Sequence, residues 1–336
     1  MAAQSMTRRA GHKDHNARGI VAALLSSLFF GLAPIFGKLA YQAGVGPTTL
    51  VALRTALAAG LLWVFYLLFW RRYIAINWHN LAGCVGMGIA NGVGSLLYYN
   101  GLSRMDAALG HLLYAMYPFW VFIFLSAAGH PISPLSVGRL GLVLLSAFLL
   151  TWQPGGLVDP LGVTLMIGAG ALYGFHIVLG QWTLVDVDPR TVALYVLTTM
   201  TAVVSIPFIG QGGALEPITA AGWTAIVLLA IFPTALARLL VFAGLRHIGG
   251  AQTVLLGMAE PLVAVVLSFV LLGESFSALQ WLGAALFVFS VLLIQRDTGL
   301  QIADEETWWQ SLFPESAGED DDLAVGSSSS DSPTSP

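Results

Sequence analysis

Two tripeptides 143 residues apart, Met116-Tyr117-Pro118 and Ala259-Glu260-Pro261, each interrupt a stretch long and apolar enough to cross a bilayer. The same ungapped offset pairs Gly31 with Gly174, Gly37 with Gly180, Thr55 with Thr198, Gly101-Leu102 with Gly244-Leu245, Leu112-Leu113 with Leu255-Leu256, and Leu149 with Leu292. A chain made of two copies of one apolar unit has few folds open to it. In lipid, backbone polar groups must be satisfied inside helices or closed barrels. Here the apolarity is continuous and scattered with Gly, without the short alternating segments of a barrel. Duplicated membrane units are the usual plan of secondary transporters, which bind their solute where the copies meet.

About 20 apolar residues cross the hydrocarbon core as a helix. Ten such stretches can be drawn, at 19–40, 47–70, 80–102, 107–128, 135–152, 160–182, 190–210, 219–245, 250–272 and 277–295. The expected fold is all-α and integral to the membrane, with ten transmembrane helices in two five-helix repeats, 19–152 and 160–295. Five is odd, so the copies run in opposite directions, as an inverted duplication. Composition agrees, because only 10% of residues are charged, where a soluble domain carries roughly a quarter. The first span is too long for the apolar region of a cleaved signal and reads as a permanent helix. The lone Cys84 excludes an intrachain disulfide and reads as a small core hydrophobe.

Charge is segregated along the chain. Residues 1–296 hold all 14 basic residues against eight acidic ones, whereas 297–336 hold ten acidic residues and no Lys or Arg. With residues 1–18 as a basic cytoplasmic N-terminus, Arg8, Arg9, Lys13, Arg18, Arg71, Arg72, Arg190, Arg246 and Arg296 all fall inside, and Arg139 lies near an inner helix end. Only Arg104 falls in an outer loop, with Lys38 near an outer helix end. This bias places both termini in the cytoplasm, with the plasma membrane as the expected location. The acidic, Ser- and Pro-rich segment 297–336 is too polar to bury a core and reads as a disordered tail, with Trp308, Trp309 and Phe313 as its aromatic residues.

Ionisable groups inside a span are costly and should face the bundle interior. Glu260 is the one carboxylate near the centre of a span; it reads as a contact for a substrate amine or a proton site, or as a structural partner of Arg54 or Arg238. Pro118 and Pro261 each lack the amide that would bond four residues back, which frees the carbonyls of Tyr114 and Gly257 and predicts kinks at mid-membrane. Asn91, Ser95, Tyr98 and Leu102 share one helical stripe, and the offset maps Asn91 to Thr234 and Ser95 to Arg238, so the stripe is polar in both copies. Arg238 suits a substrate carboxylate through a forked pair, or else snorkels to the interface. Arg54 maps to Leu197 and lines the cavity or caps loop carbonyls; Lys38 reads as a snorkelling residue. His111, Tyr114 and Pro118 share a face, and Tyr98, Tyr99, Tyr114, Tyr117, Trp120 and Tyr173 are candidates for an aromatic wall. His111 and His176 are in most such settings packing residues. Gln252 and Thr253 extend the polar face of Glu260, and the glycines from Gly83 to Gly94 suit close helix contact.

The membrane body resembles the EamA type of the drug/metabolite transporter superfamily. The residues carrying the likeness are Phe30-Gly31 with Lys38, Leu53-Arg54-Thr55-Ala56-Leu57, Glu260-Pro261, and above all Leu271-Leu272-Gly273-Glu274 followed by Gln280-Trp281-Leu282-Gly283-Ala284-Ala285-Leu286. The resemblance implies a cavity lined by helices 1–4 and 6–9, with helices 5 and 10 at the periphery. It also implies export of amino acids or related amphipathic metabolites, less often drugs, by alternating access, with protons as a candidate coupling ion. The sugar-phosphate branch carries basic pairs in its ninth helix; Glu260 stands there instead, which argues against phosphate substrates. A membrane-embedded enzyme is the weaker reading, because paired intramembrane acids, a His-Glu-x-x-His helix and a nucleophile elbow are all missing. No cofactor, metal or nucleic acid is expected; the partners are the bilayer and a small solute, and the sequence leaves a homodimer open.

Overall fold

The computed structural model describes residues 18–128, 134–153, 156–183, 187–213, 217–248, 253, 256–257 and 259–294. The readings of the N-terminal arm before Arg18, the acidic tail and Gln252 lie outside these residues. In chain order the helices are α1 Arg18–Gln42, α2 Pro47–Phe69, α3 Trp78–Leu102, α4 Ala107–Ala127 and α5 Pro134–Thr151. They continue with α6 Pro160–Thr183, α7 Pro189–Gly210, α8 through Ala220–Leu229, Ala230–Leu236 and Ala237–Ile248, then α9 Ala259–Leu272 and α10 Ala278–Ile294. Among the described residues seven helices, α1–α4 and α6–α8, are long and apolar enough to cross a membrane, while α5, α9 and α10 contain shorter apolar helices. Among the described residues the one pair of strands is a ribbon between α5 and α6, β1 Trp152–Gln153 against β2 Gly156–Leu157.

Local chemistry sets most helix starts. Proline opens α2, α5, α6 and α7, where its missing amide costs nothing. Asn77, Asp188 and Thr219 cap α3, α7 and α8 by accepting the amides of Asn80, Arg190 and Gly222. On α2, Leu57, Leu61, Val64 and Leu68 are exposed at helical spacing, while Arg54, Thr55, Ala58, Leu62 and Tyr66 are buried. A helix apolar on both faces belongs in lipid.

Helices α1, α4 and α8 are interrupted. α1 turns at Leu32, just before Pro34, and α4 breaks at Ala115 and Met116, just before Pro118. In α8 the backbone widens to a π-helix over Ala230–Leu236 around Pro233. Proline there cannot donate to the carbonyl of Leu229; the Thr234 hydroxyl donates to it instead, at 2.8 Å.

Contacts between helices recur when both helix numbers advance by five. α3 packs on α6 as α8 packs on α1, α3 on α7 as α8 on α2, and α4 on α6 as α9 on α1; α2–α7, α4–α9 and α5–α10 map onto themselves. The correspondence reaches single residues. A Cβ on Gly31 would lie 3.0 Å from the Glu260 carbonyl oxygen, and one on Gly174 would lie 3.0 Å from that of Tyr117. Each is the other's image under the 143-residue offset.

The α5–α10 pair is built by the strongest sequence block. Ser277 and Gln280 form a capping box, with the Ser277 amide donating to Gln280 Oε1 at 2.9 Å and the Gln280 amide donating to Ser277 Oγ at 3.3 Å. Gln280 Nε2 then donates to the Leu150 carbonyl at 3.2 Å, and Ser146 Oγ to the Gly283 carbonyl at 2.8 Å.

Close helix contact has a measurable consequence at Gly88, where an added Cβ would lie 2.5 Å from Thr199 Cβ and 2.9 Å from the Val196 carbonyl oxygen. Gly88→Ala should force α3 from α7 and cost about 1–3 kcal/mol, seen as a lower unfolding temperature in detergent. At Gly60, where a Cβ would meet nothing within 4 Å, the same change should leave that temperature unchanged or raise it.

Outside the spans, Arg104 and Asp159 pair at 3.2 Å, linking the C-terminal end of α3 to the start of α6. The Arg104 hydrogen bond holds the Asp159 carboxyl below its ordinary range.

Candidate functional site

A cavity of about 350 Å³ lies between the repeats, at the small end of ligand pockets. Its wall is drawn from α1–α4 and α6–α9, and among the described residues none of α5 or α10 lines it. Glu260, Arg238, Asn91, Ser95, Tyr98, Tyr114, Tyr117, His111, Arg54, Thr234 and Tyr173 all line it. The α3 stripe and its α8 image therefore face one space. Pro118 and Pro261 follow directly on the lining residues Tyr117 and Glu260, so the break in α4 borders the cavity; the kink expected at Pro261 turns on a stretch that lies partly outside the described residues.

Arg54 is 7% exposed and braces both repeats. Its Nη1 donates to Thr234 Oγ1 at 3.0 Å and its Nη2 to Ser95 Oγ at 2.5 Å, while the guanidinium carbon sits 4.5 Å from the centre of the Tyr99 ring. Arg54 Nε is buried with no hydrogen-bond partner. The two hydroxyls come from α3 and α8, so one guanidinium closes a bridge from α2 to both.

Glu260 pairs with neither arginine considered for it. Its Oε1 lies 3.2 Å from His111 Nε2. That nitrogen makes no hydrogen bond among the described residues, so the contact is a close approach of a carboxylate oxygen to a ring nitrogen. On the other side of the ring, His111 Nδ1 lies 3.1 Å from Tyr98 Oη. Which of Tyr98 Oη and His111 Nδ1 donates follows from the imidazole tautomer. His111 is thus a member of a Tyr98–His111–Glu260 chain and more than a packing residue. Arg238 lines the same cavity, and among the described residues no carboxylate pairs with it.

Aromatic rings continue the wall. Tyr98 and Tyr114 centroids are 4.9 Å apart, Tyr114 and Tyr173 5.5 Å, and Tyr117 and Tyr173 4.8 Å. His176 stacks on Tyr173 at 5.7 Å, and its Nδ1 donates to the Met87 carbonyl at 3.1 Å. Trp120, grouped with these tyrosines from sequence, is not a lining residue; it packs on Phe119 and beside Gly174. Leu102 of the α3 stripe is fully buried against Gly37. Lys38, read as a snorkelling residue, lies within electrostatic reach of Glu274 and Asp106. Sequence reasoning passed over Pro233, although a proline followed by threonine in an apolar span signals a broken helix whose freed carbonyl needs a donor. It also passed over the apolar lining of Phe30, Met87 and Met200, for which a run of apolar residues offers no signal.

The EamA-like transporter family matches this chain twice, over residues 17–152 and 160–296. The two matches begin 143 residues apart, the offset read from the sequence. The uncharacterized transporter YcbK of Bacillus subtilis (strain 168) is 25% identical over 283 residues, 80% of this chain and 89% of its own length. The uncharacterized inner membrane transporter YicL of Salmonella typhimurium is 36% identical over 93 residues, 28% of this chain and 31% of its own. One crystal structure shares the fold with a TM-score of 0.59 at 18% identity, covering 83% of this chain and 97% of the other.

Proposed function

Because the chain belongs to the EamA-like transporter family, we propose that this multi-pass membrane protein is a secondary transporter that exports a small amino acid-like or related amphipathic metabolite by alternating access. Ten helices cross the plasma membrane as two upside-down five-helix repeats, with both termini in the cytoplasm. The observation that carries this reading is the cavity wall itself. One carboxylate, Glu260, and two guanidiniums, Arg54 and Arg238, share one space with a row of tyrosines, and the residues come from both repeats. Such a wall complements a solute with an amine, a carboxylate and an apolar body. Membership of a transporter family argues against an enzyme.

In this reading Glu260 receives the amine or a proton, and His111 and Tyr98 orient it. Arg238 receives the carboxylate, while Arg54 holds the wall in shape. Rocking of the repeats exposes the cavity to each side in turn, and the broken helices α1, α4 and α8 supply the backbone freedom at mid-depth. The test is a solute screen in cells expressing the wild type, Glu260→Ala or Arg238→Ala. At least one amino acid-like solute should leave wild-type cells faster than either variant. Equal efflux of every such solute from all three would remove this substrate class.

A further inference from the structure

The sequence block Leu271-Leu272-Gly273-Glu274 contributes no residue to the cavity wall yet ties together α4 and α9, the helices that carry the Glu260–His111 pair. α4 begins after Asp106, whose side chain makes no capping bond. The carboxylate of Glu274 caps it instead, accepting the amide of Ala107 on Oε1 at 2.6 Å and that of Ala108 on Oε2 at 2.9 Å, across more than 160 residues of chain. Charge-assisted bonds to the first amides of a helix are among the stronger polar contacts. The backbone aims the carboxylate: Gly273 ends α9 in the left-handed region at φ +69°, a conformation that glycine adopts without strain.

The 143-residue offset predicts where a matching contact would stand at the opposite end of the α4–α9 pair. Glu274 maps to Pro131, Asp106 to Gly249 and Lys38 to Gln181. None of the three charged residues gathered at this end has a charged counterpart. Ties of another kind hold the opposite end, where Tyr66 Oη donates to the Arg190 carbonyl at 3.0 Å, but they join α2 to α7.

We infer that Glu274 is a one-sided latch, clamping α4 to α9 at one end of the cavity and weighting the two access states unequally. This rests on the alternating-access reading. Opening the cavity at the Glu274 end separates α4 from α9 there, so both amides must leave the carboxylate. Opening at the far end meets no carboxylate cap of this kind, because Pro131 stands where the offset would place a second Glu274.

The full chain in vesicles of known sidedness tests this. Cys84, itself buried, is replaced by Ala, and a single cysteine is placed at Ala33 on the cavity wall. A membrane-impermeant maleimide is then added to one side or the other. Glu274→Ala should raise the labelling rate from the Glu274 side about tenfold and lower the rate from the opposite side, with Glu274→Gln intermediate because its amide oxygen still accepts one bond. A rise from both sides together would mean a general loosening and would overturn the latch. Should the parent label from both sides and Glu274→Ala leave the ratio of the two rates unchanged, the latch alone fails. Labelling of the parent from one side only, under every solute gradient imposed, removes alternating access and the latch with it.

Discussion

Glu260→Gln should reduce pH-gradient-driven transport in proteoliposomes to background while leaving solute exchange measurable. Coupling requires that a proton and the solute compete for one site or one conformation, and among the described residues Glu260 is the only carboxylate on the cavity wall. A carboxylate held at that depth persists only with a partner or a task, and the His111 ring nitrogen lies 3.2 Å from it. Glutamine keeps the volume and one acceptor oxygen but cannot release a proton. In the proposed mechanism the step that loads a proton in one access state and unloads it in the other is lost, while exchange of solute for solute needs no net proton movement. Undiminished gradient-driven flux in the variant would take Glu260 out of the coupling step.

Arg54→Met should cost about 2–4 kcal/mol of stability and reduce transport at least tenfold. The guanidinium is the common donor to Ser95 and Thr234 and rests on the Tyr99 ring. Removing it strips two hydroxyl oxygens of their charged donor and opens a void where α2, α3 and α8 meet. Arg54→Lys should recover only part of the loss, since a single ammonium cannot reproduce the planar fork that reaches two hydroxyls at once. Thermal unfolding in detergent separates the two substitutions; an unfolding temperature unchanged by Arg54→Met would show that the bridge braces nothing.

Much of this was legible in the chain because the membrane enforces a rule. A polar group in a span is expensive unless it faces protein or water, so Asn91, Ser95, Arg238 and Glu260 were assignable to an interior before any coordinates, and the offset put Thr234 beside them. The pairing within that interior was not legible. Whether Glu260 meets Arg54, Arg238 or His111 depends on helix rotation and tilt, which periodicity does not specify, and the choice fell on the histidine. The role of Glu274 was hidden for a similar reason: the block containing it marks a family, but its partners are backbone amides, which have no letter in the sequence. Trp120 was misplaced because it lies just past the Pro118 break, where the helical face established by His111 and Tyr114 no longer continues in register. The ribbon at Trp152 and Leu157 involves two residues per strand, too few to register as alternation.

The pairing of α5 with α10 has a bearing on how such a protein changes its cargo. Those helices hold each other through Ser146, Leu150, Gln280 and Gly283 and, among the described residues, lend no side chain to the pocket. Substitutions on distant, unconnected surfaces act nearly independently. Lineages can therefore exchange tyrosines, arginines or methionines around the solute while this spar preserves the architecture, which makes altered selectivity accessible through single steps that do not first have to rescue assembly.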